Sequence, residues 1–142
     1  MLPKNIQPFI EILKDDGAEL IFILTDLDTD KCITKTKERI NAPYGIVVII
    51  SVQQIEAWFL ADSITLSSIF KSKYLFKFPE KENYPREKLK EIFIKKTGRG
   101  IMDSKPRFAK WMIKNGFSVI NAAQHLNCKS AKYFIDGLLK IK

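Results

Sequence analysis

Residues 19–30 read Glu19-Leu20-Ile21-Phe22-Ile23-Leu24-Thr25-Asp26-Leu27-Asp28-Thr29-Asp30. The apolar run of residues 19–25, followed by an acidic turn over residues 26–30, predicts a strand buried on both faces, as in a parallel sheet. Residues 44–51, Tyr-Gly-Ile-Val-Val-Ile-Ile-Ser, repeat the pattern and predict a second buried strand. Before the first strand, Ile6, Phe9, Ile10 and Leu13 form one helical stripe over residues 5–14. Pro8 falls in its first turn, where proline is tolerated, and Asp15-Asp16-Gly17 ends it. A polar-faced helix is expected over residues 32–40, stopped by Asn41-Ala42-Pro43, and another over residues 53–61.

Helix, strand, helix, strand, helix implies parallel strands with right-handed crossovers, so the fold class is α/β with a small parallel sheet. Past Asp62 no convincing strand is found, and residues 64–70, 86–96, 106–114, 117–125 and 131–141 read as helices. Residues 1–62 are thus an α/β core and residues 63–142 a mostly helical, basic extension of the same domain. Two strands do not make a stable sheet alone. Further strands are expected within residues 71–105, in an upstream portion, or from a second copy or another chain pairing the open edge.

The 142 residues suffice for one modest core. An apolar share of 46% argues against general disorder. No apolar run approaches the roughly 20 residues of a membrane span. The charged start, with Lys4, Glu11, Lys14, Asp15 and Asp16, is neither a signal nor a transit peptide, so a cytoplasmic protein without a membrane partner is expected. Cys32 and Cys128 lie far apart and read as reduced thiols rather than zinc ligands. His125 is the only histidine and there is no G-x-S-x-G elbow, which leaves little room for a serine or cysteine hydrolase.

The net charge of +8 is uneven. Residues 1–70 carry 6 basic and 10 acidic groups, residues 71–114 carry 14 and 5, and residues 115–142 carry 4 and 1. An acidic half holding the aspartate cluster is followed by a basic half, which suits a polyanionic partner as well as a solvated lysine-rich surface.

In open parallel sheets ligands bind beyond the carboxyl ends of the strands. The first strand delivers Asp26 and Asp28 to that edge, and alternate spacing lets both carboxylates face one cavity. Carboxylates so crowded repel unless a proton or cation intervenes, and hard oxygen ligands suit Mg2+ or Mn2+. Asp30 is either a third ligand or the cap of the next helix. Glu56 opens a helix at the same edge if the crossover is parallel, with bulky neighbours Ile55, Trp58 and Phe59 that predict a semi-buried carboxylate. Asp62 is read as the cap of the helix beginning at Ile64. The connection over residues 97–105, with Gly98 and Gly100, brings Arg99 and Lys105, followed by Arg107, toward a phosphate or serves as a plain linker.

The blocks Asp26-x-Asp28-x-Asp30-x-Cys32 and Ile55-Glu56-Ala57-Trp58-Phe59-Leu60-Ala61-Asp62, with Asn127-Cys128-Lys129-Ser130-x-x-x-Phe134, resemble a group of bacterial proteins with a toprim-like core. Toprim domains occur in topoisomerases, primases and OLD-family nucleases, where an aspartate pair and a glutamate hold magnesium for phosphodiester chemistry. The resemblance implies that Asp26 and Asp28 are the aspartate pair. The toprim glutamate ends an earlier strand, upstream of the first helix here, so Glu56 is a carboxylate of a different element. The leading expectation is therefore a magnesium-dependent, toprim-like nuclease or phosphodiester-processing subunit in DNA repair or phage defence. Its catalytic residues would be Asp26, Asp28 and Glu56, its metal ligands Asp26, Asp28 and Asp30, and its phosphate contacts Arg99, Lys105 and Arg107. Nucleic acid, a second copy or other chain completing the sheet, and an ATPase are the expected partners. The alternative is a non-catalytic nucleic-acid- or partner-binding module on a truncated toprim-like core. A haloacid-dehalogenase-like phosphatase is a minor third, since Asp30 stands where that family has Thr or Val. A receiver domain fits worse, because the second strand ends in Ser51.

Overall fold

The computed structural model describes residues 5–27 and 32–141. The elements run α1 (Gln7–Asp15), β1 (Phe22–Asp26), α2 (Ile33–Ile40), β2 (Val47–Ser51), α3 (Glu56–Ala61), α4 (Ser63–Phe70), a 3-10 turn (Pro79–Lys81), α5 (Pro85–Thr97), α6 (Lys105–Lys114), α7 (Val119–Ala123) and α8 (Lys129–Leu139). The class is α/β, with the helices concentrated in the C-terminal part. No helix among the described residues is long and apolar enough to cross a membrane.

β1 and β2 pair in parallel, Phe22 opposite Val47 through to Asp26 opposite Ser51. Among the described residues they are each other's sole ladder partners. The strands sought within residues 71–105 are not there: that segment holds the 3-10 turn and α5. The expectation that β1 is buried on both faces also fails. Ile21 and Ile23 pack with Ile10 of α1, but Leu24, on the opposite side, stays 45% exposed. Only β2 lies under a full layer at its carboxyl half, where Ile49, Ile50 and Ser51 are all buried.

The layer over β2 is built on α3. Every residue from Glu56 to Ala61 is buried, as a helix apolar all round demands. Trp58 and Ala61 meet Ile49, Ala122, Cys128 and Ala131 of the sheet side. Phe59 and Leu60 turn the other way, into a second cluster with Leu66, Leu89, Phe93, Phe108 and Met112. One short helix thus joins the α/β core to the helical extension.

Buried polar groups fix the joins. Asp62 caps α4, accepting from the Thr65 amide at 2.9 Å, and its other oxygen accepts from the Ser118 amide at 3.2 Å ahead of α7. At the start of α8, Glu80 accepts from the amides of Lys129 and Ser130 and from the Ser130 hydroxyl, placing an anion at the positive helix end. The Ser130 hydroxyl in turn accepts from the Trp58 indole at 2.7 Å. Gln53, at φ +66°, sits in the left-handed region within the turn between β2 and α3, a strained conformation for a non-glycine residue.

Candidate nucleic-acid interface

Asp26 is the last residue of β1, opposite Ser51. Its Oδ1 accepts from the Ser51 hydroxyl at 2.6 Å and from the Ile55 amide at 2.7 Å. The carboxylate therefore ties the ends of both strands to the entry of α3. Asp28 and Asp30 lie outside the described residues. Among the described residues no three His, Cys, Asp or Glu side chains are grouped to hold a metal.

Glu56 follows the amide that Asp26 holds, yet its carboxylate serves another partner. Its Oε1 lies 3.5 Å from Arg86 Nη1 and 3.7 Å from Lys105 Nζ. Glu56 is 2% exposed, so this is a buried anion met by cations from α5 and α6. Both cations meet Oε1, while the buried Oε2 has no hydrogen-bond partner among the described residues.

Arg86 also reaches the connection between α5 and α6. Its Nη2 donates to the carbonyls of Met102 at 2.8 Å and Asp103 at 2.6 Å. Gly98 leaves α5 at φ +71°, the left-handed conformation that glycine takes at no steric cost. The Thr97 hydroxyl donates to the Phe93 carbonyl at 2.8 Å and accepts from the Arg99 amide at 3.2 Å. Ser104 then caps α6 through the Arg107 amide. The connection is thus a held loop rather than a plain linker.

Of the three expected phosphate contacts, Lys105 pairs with Glu56, while Arg99 and Arg107 are exposed. Helix α6 carries four basic residues and no acidic one. Phe108 and Met112 point into the core, so Arg107, Lys110 and Lys114 share the outward face at spacings of three and four. No carboxylate pairs with these three among the described residues. On α5, by contrast, Lys88 pairs with Glu91 and Lys90 with Glu87. The α6 stripe is legible from spacing once Phe108 and Met112 are known to be core, but not before.

Two cavities flank these features. One, of about 340 Å³, lies beside α6 and is lined by Phe93, Phe108, Trp111, Ile101, Arg99 and Gly100 among others. The other, of about 320 Å³, sits beyond β2 between α2 and α8, lined by Ile50, Val52, Lys37, Lys129 and Tyr133 among others. There Lys37 Nζ lies 4.9 Å above the Tyr133 ring. Lys37 and Tyr133 are not singled out by the sequence, and Lys129 only as part of a motif, because the three meet only after α8 folds back over β2.

The remaining reactive groups are accounted for locally. His125 places Nε2 2.8 Å from the Phe76 carbonyl and accepts the Asn127 amide on Nδ1, so both ring nitrogens are engaged by backbone. Cys32 has its thiol pKa lowered, first by the backbone N–H of Lys35 and then by that of Thr34. Burial, followed by the nearby Glu80 charge, pushes the Cys128 thiol up to about 12. No protein-family model matches the chain, and neither curated proteins nor solved structures provide a match.

Proposed function

We propose that this chain binds the sugar-phosphate backbone of a nucleic acid across α6 and the connection before it. The supporting observation is the unpaired cation stripe of Arg107, Lys110 and Lys114. It lies within residues 95–114, which hold seven basic groups and one acidic. Like charges three and four apart on a helix repel, and a polyanion removes that cost while releasing its own counterions. The test is fluorescence anisotropy of a labelled oligonucleotide over a salt series. Replacing Arg107, Lys110 and Lys114 together by Gln is expected to weaken binding and to flatten the log–log salt slope by about 2 to 3. An unchanged affinity and slope in the triple variant rules the surface out.

A second function, favoured by Asp26, is metal-dependent phosphodiester chemistry at the carboxyl edge of β1, the toprim-like assignment implied by sequence. Asp26 stands where open parallel sheets bind ligands, its Oδ1 fixed by two donors, and Asp28 and Asp30 follow in sequence. Asp26, Asp28 and Asp30 would hold Mg2+ or Mn2+, which stabilises attacking and leaving oxygens of phosphodiesters. A place in DNA repair or phage defence, an ATPase partner, and a second copy completing the sheet belong to this proposal. Plasmid cleavage with either metal is its assay. If Asp28→Asn cleaves like the parent protein, the catalytic assignment is dead.

A further inference from the structure

We infer that the cavity beside α6 takes one unstacked nucleobase, so that the nucleic acid held by the basic surface is a single strand rather than a duplex. The inference rests on the backbone-binding function proposed above and names its substrate class. Three aromatic rings wall the cavity: Phe93, Phe108 and Trp111. Trp111 is half-buried, stacked on Phe108 with centroids 6.1 Å apart and planes at 17°, and met edge-on by Phe93. Phe93 and Phe108 are core residues whose edges close the inner wall, so Trp111 is the ring that reaches the open space of about 340 Å³. That opening lies inside the most basic stretch of the chain, with Arg99 on its wall. Aromatic rings set in a positive groove are how proteins hold single strands: the cations track the backbone and the rings stack the bases.

Two of the polar groups around the cavity are already bonded within the protein. The Thr97 hydroxyl is committed to the Phe93 carbonyl and the Arg99 amide, and the Met102 carbonyl to Arg86. Few groups are left to read a base edge, so the contact is with a π-face and carries little sequence preference. The loop wall is held by Arg86 before any ligand arrives, which lowers the ordering cost of binding. A duplex offers no base to the cavity without unpairing and unstacking one.

The test compares three probes of about 15 nucleotides at one salt concentration: a thymidine strand, an abasic strand with the same phosphates, and a duplex. The thymidine strand is expected to bind roughly 5- to 150-fold tighter than the abasic strand, the range for stacking one base. It should also quench tryptophan emission, and the quench should vanish in Trp111→Leu, because Trp58 is fully buried. A second variant covers loss of folding at Trp111. Gly100 has open space where a Cβ would sit and no positive φ, so Gly100→Phe fills the cavity mouth without backbone strain and should erase the preference. Equal affinity for thymidine and abasic strands, or tighter duplex binding, overturns the base pocket while leaving backbone binding intact. The equal result is also what a pocket for an apolar side chain of a protein partner would give. Binding of none of the three probes overturns both.

Discussion

Replacing Arg86 by Met removes one side chain with three partners. Its Nη1 faces Glu56, and its Nη2 donates to the carbonyls of Met102 and Asp103. The Arg86 side chain is 11% exposed and that of Glu56 2%. Removing one partner of a buried ion pair costs about 3–5 kcal/mol, because the other charge is left unpaired in a poor dielectric. Lys105 still lies 3.7 Å from the same Glu56 oxygen and moves the estimate to the lower end. Methionine keeps most of the volume, so the cavity contribution is small. Water replaces the lost donors at the exposed Met102 and Asp103, which adds about 1 kcal/mol. The expected loss is roughly 3–4 kcal/mol, equivalent to a Tm drop of about 10–15 °C for a chain this size. Urea unfolding followed by circular dichroism measures it, with the m-value unchanged if the transition remains two-state. The double variant Glu56→Gln/Arg86→Met removes both charges and should recover at least about 1 kcal/mol relative to the sum of the single variants. A single-variant loss below about 1 kcal/mol, or strict additivity in the double, would refute the buried-pair account.

Two further predictions concern other buried groups. Asp62→Ala removes the cap of α4 and strands the Ser118 amide, so a loss of roughly 2–4 kcal/mol is expected in the same urea experiment, with Asp62→Asn milder. Iodoacetamide on the folded protein near pH 8 should modify Cys32, whose thiolate is favoured, and spare Cys128; mass spectrometry reports the site, and equal labelling would contradict it. Cys128 also gives a pH dependence. Its folded pKa of about 12 exceeds the ordinary value of 9.0, so the folded state keeps a proton that the unfolded chain loses. Stability from this group is complete below pH 9 and falls by up to about 1.4 kcal/mol per unit toward pH 12, a slope that Cys128→Ala should remove.

Much of the fold was written locally. The α/β class, the two strands and the helices beyond Asp62 all follow from apolar period, proline and glycine positions, and acidic caps. The apolar run over residues 19–25 points to a strand that starts earlier and lies deeper than β1 does, because such a run does not say how many layers cover it. The capping role of Asp62 on α4 is legible in the sequence, since the Thr65 amide lies three residues on. Its second bond, to the Ser118 amide 56 residues away, left no local sign.

The sequence by itself determined the order of elements, the place of Asp26 at a strand's carboxyl end, and the concentration of positive charge in the later half. These depend on neighbours within a turn or a strand, where residue spacing is the geometry. Tertiary structure alone decided that Glu56 turns to Arg86 and Lys105, that Ser130 meets Trp58 across 72 residues, and that Arg107, Lys110 and Lys114 remain unpaired. It likewise decided that Trp111, stacked on the core ring of Phe108, borders an open cavity. Such pairings depend on how helices pack, and the same spacing pattern permits many packings.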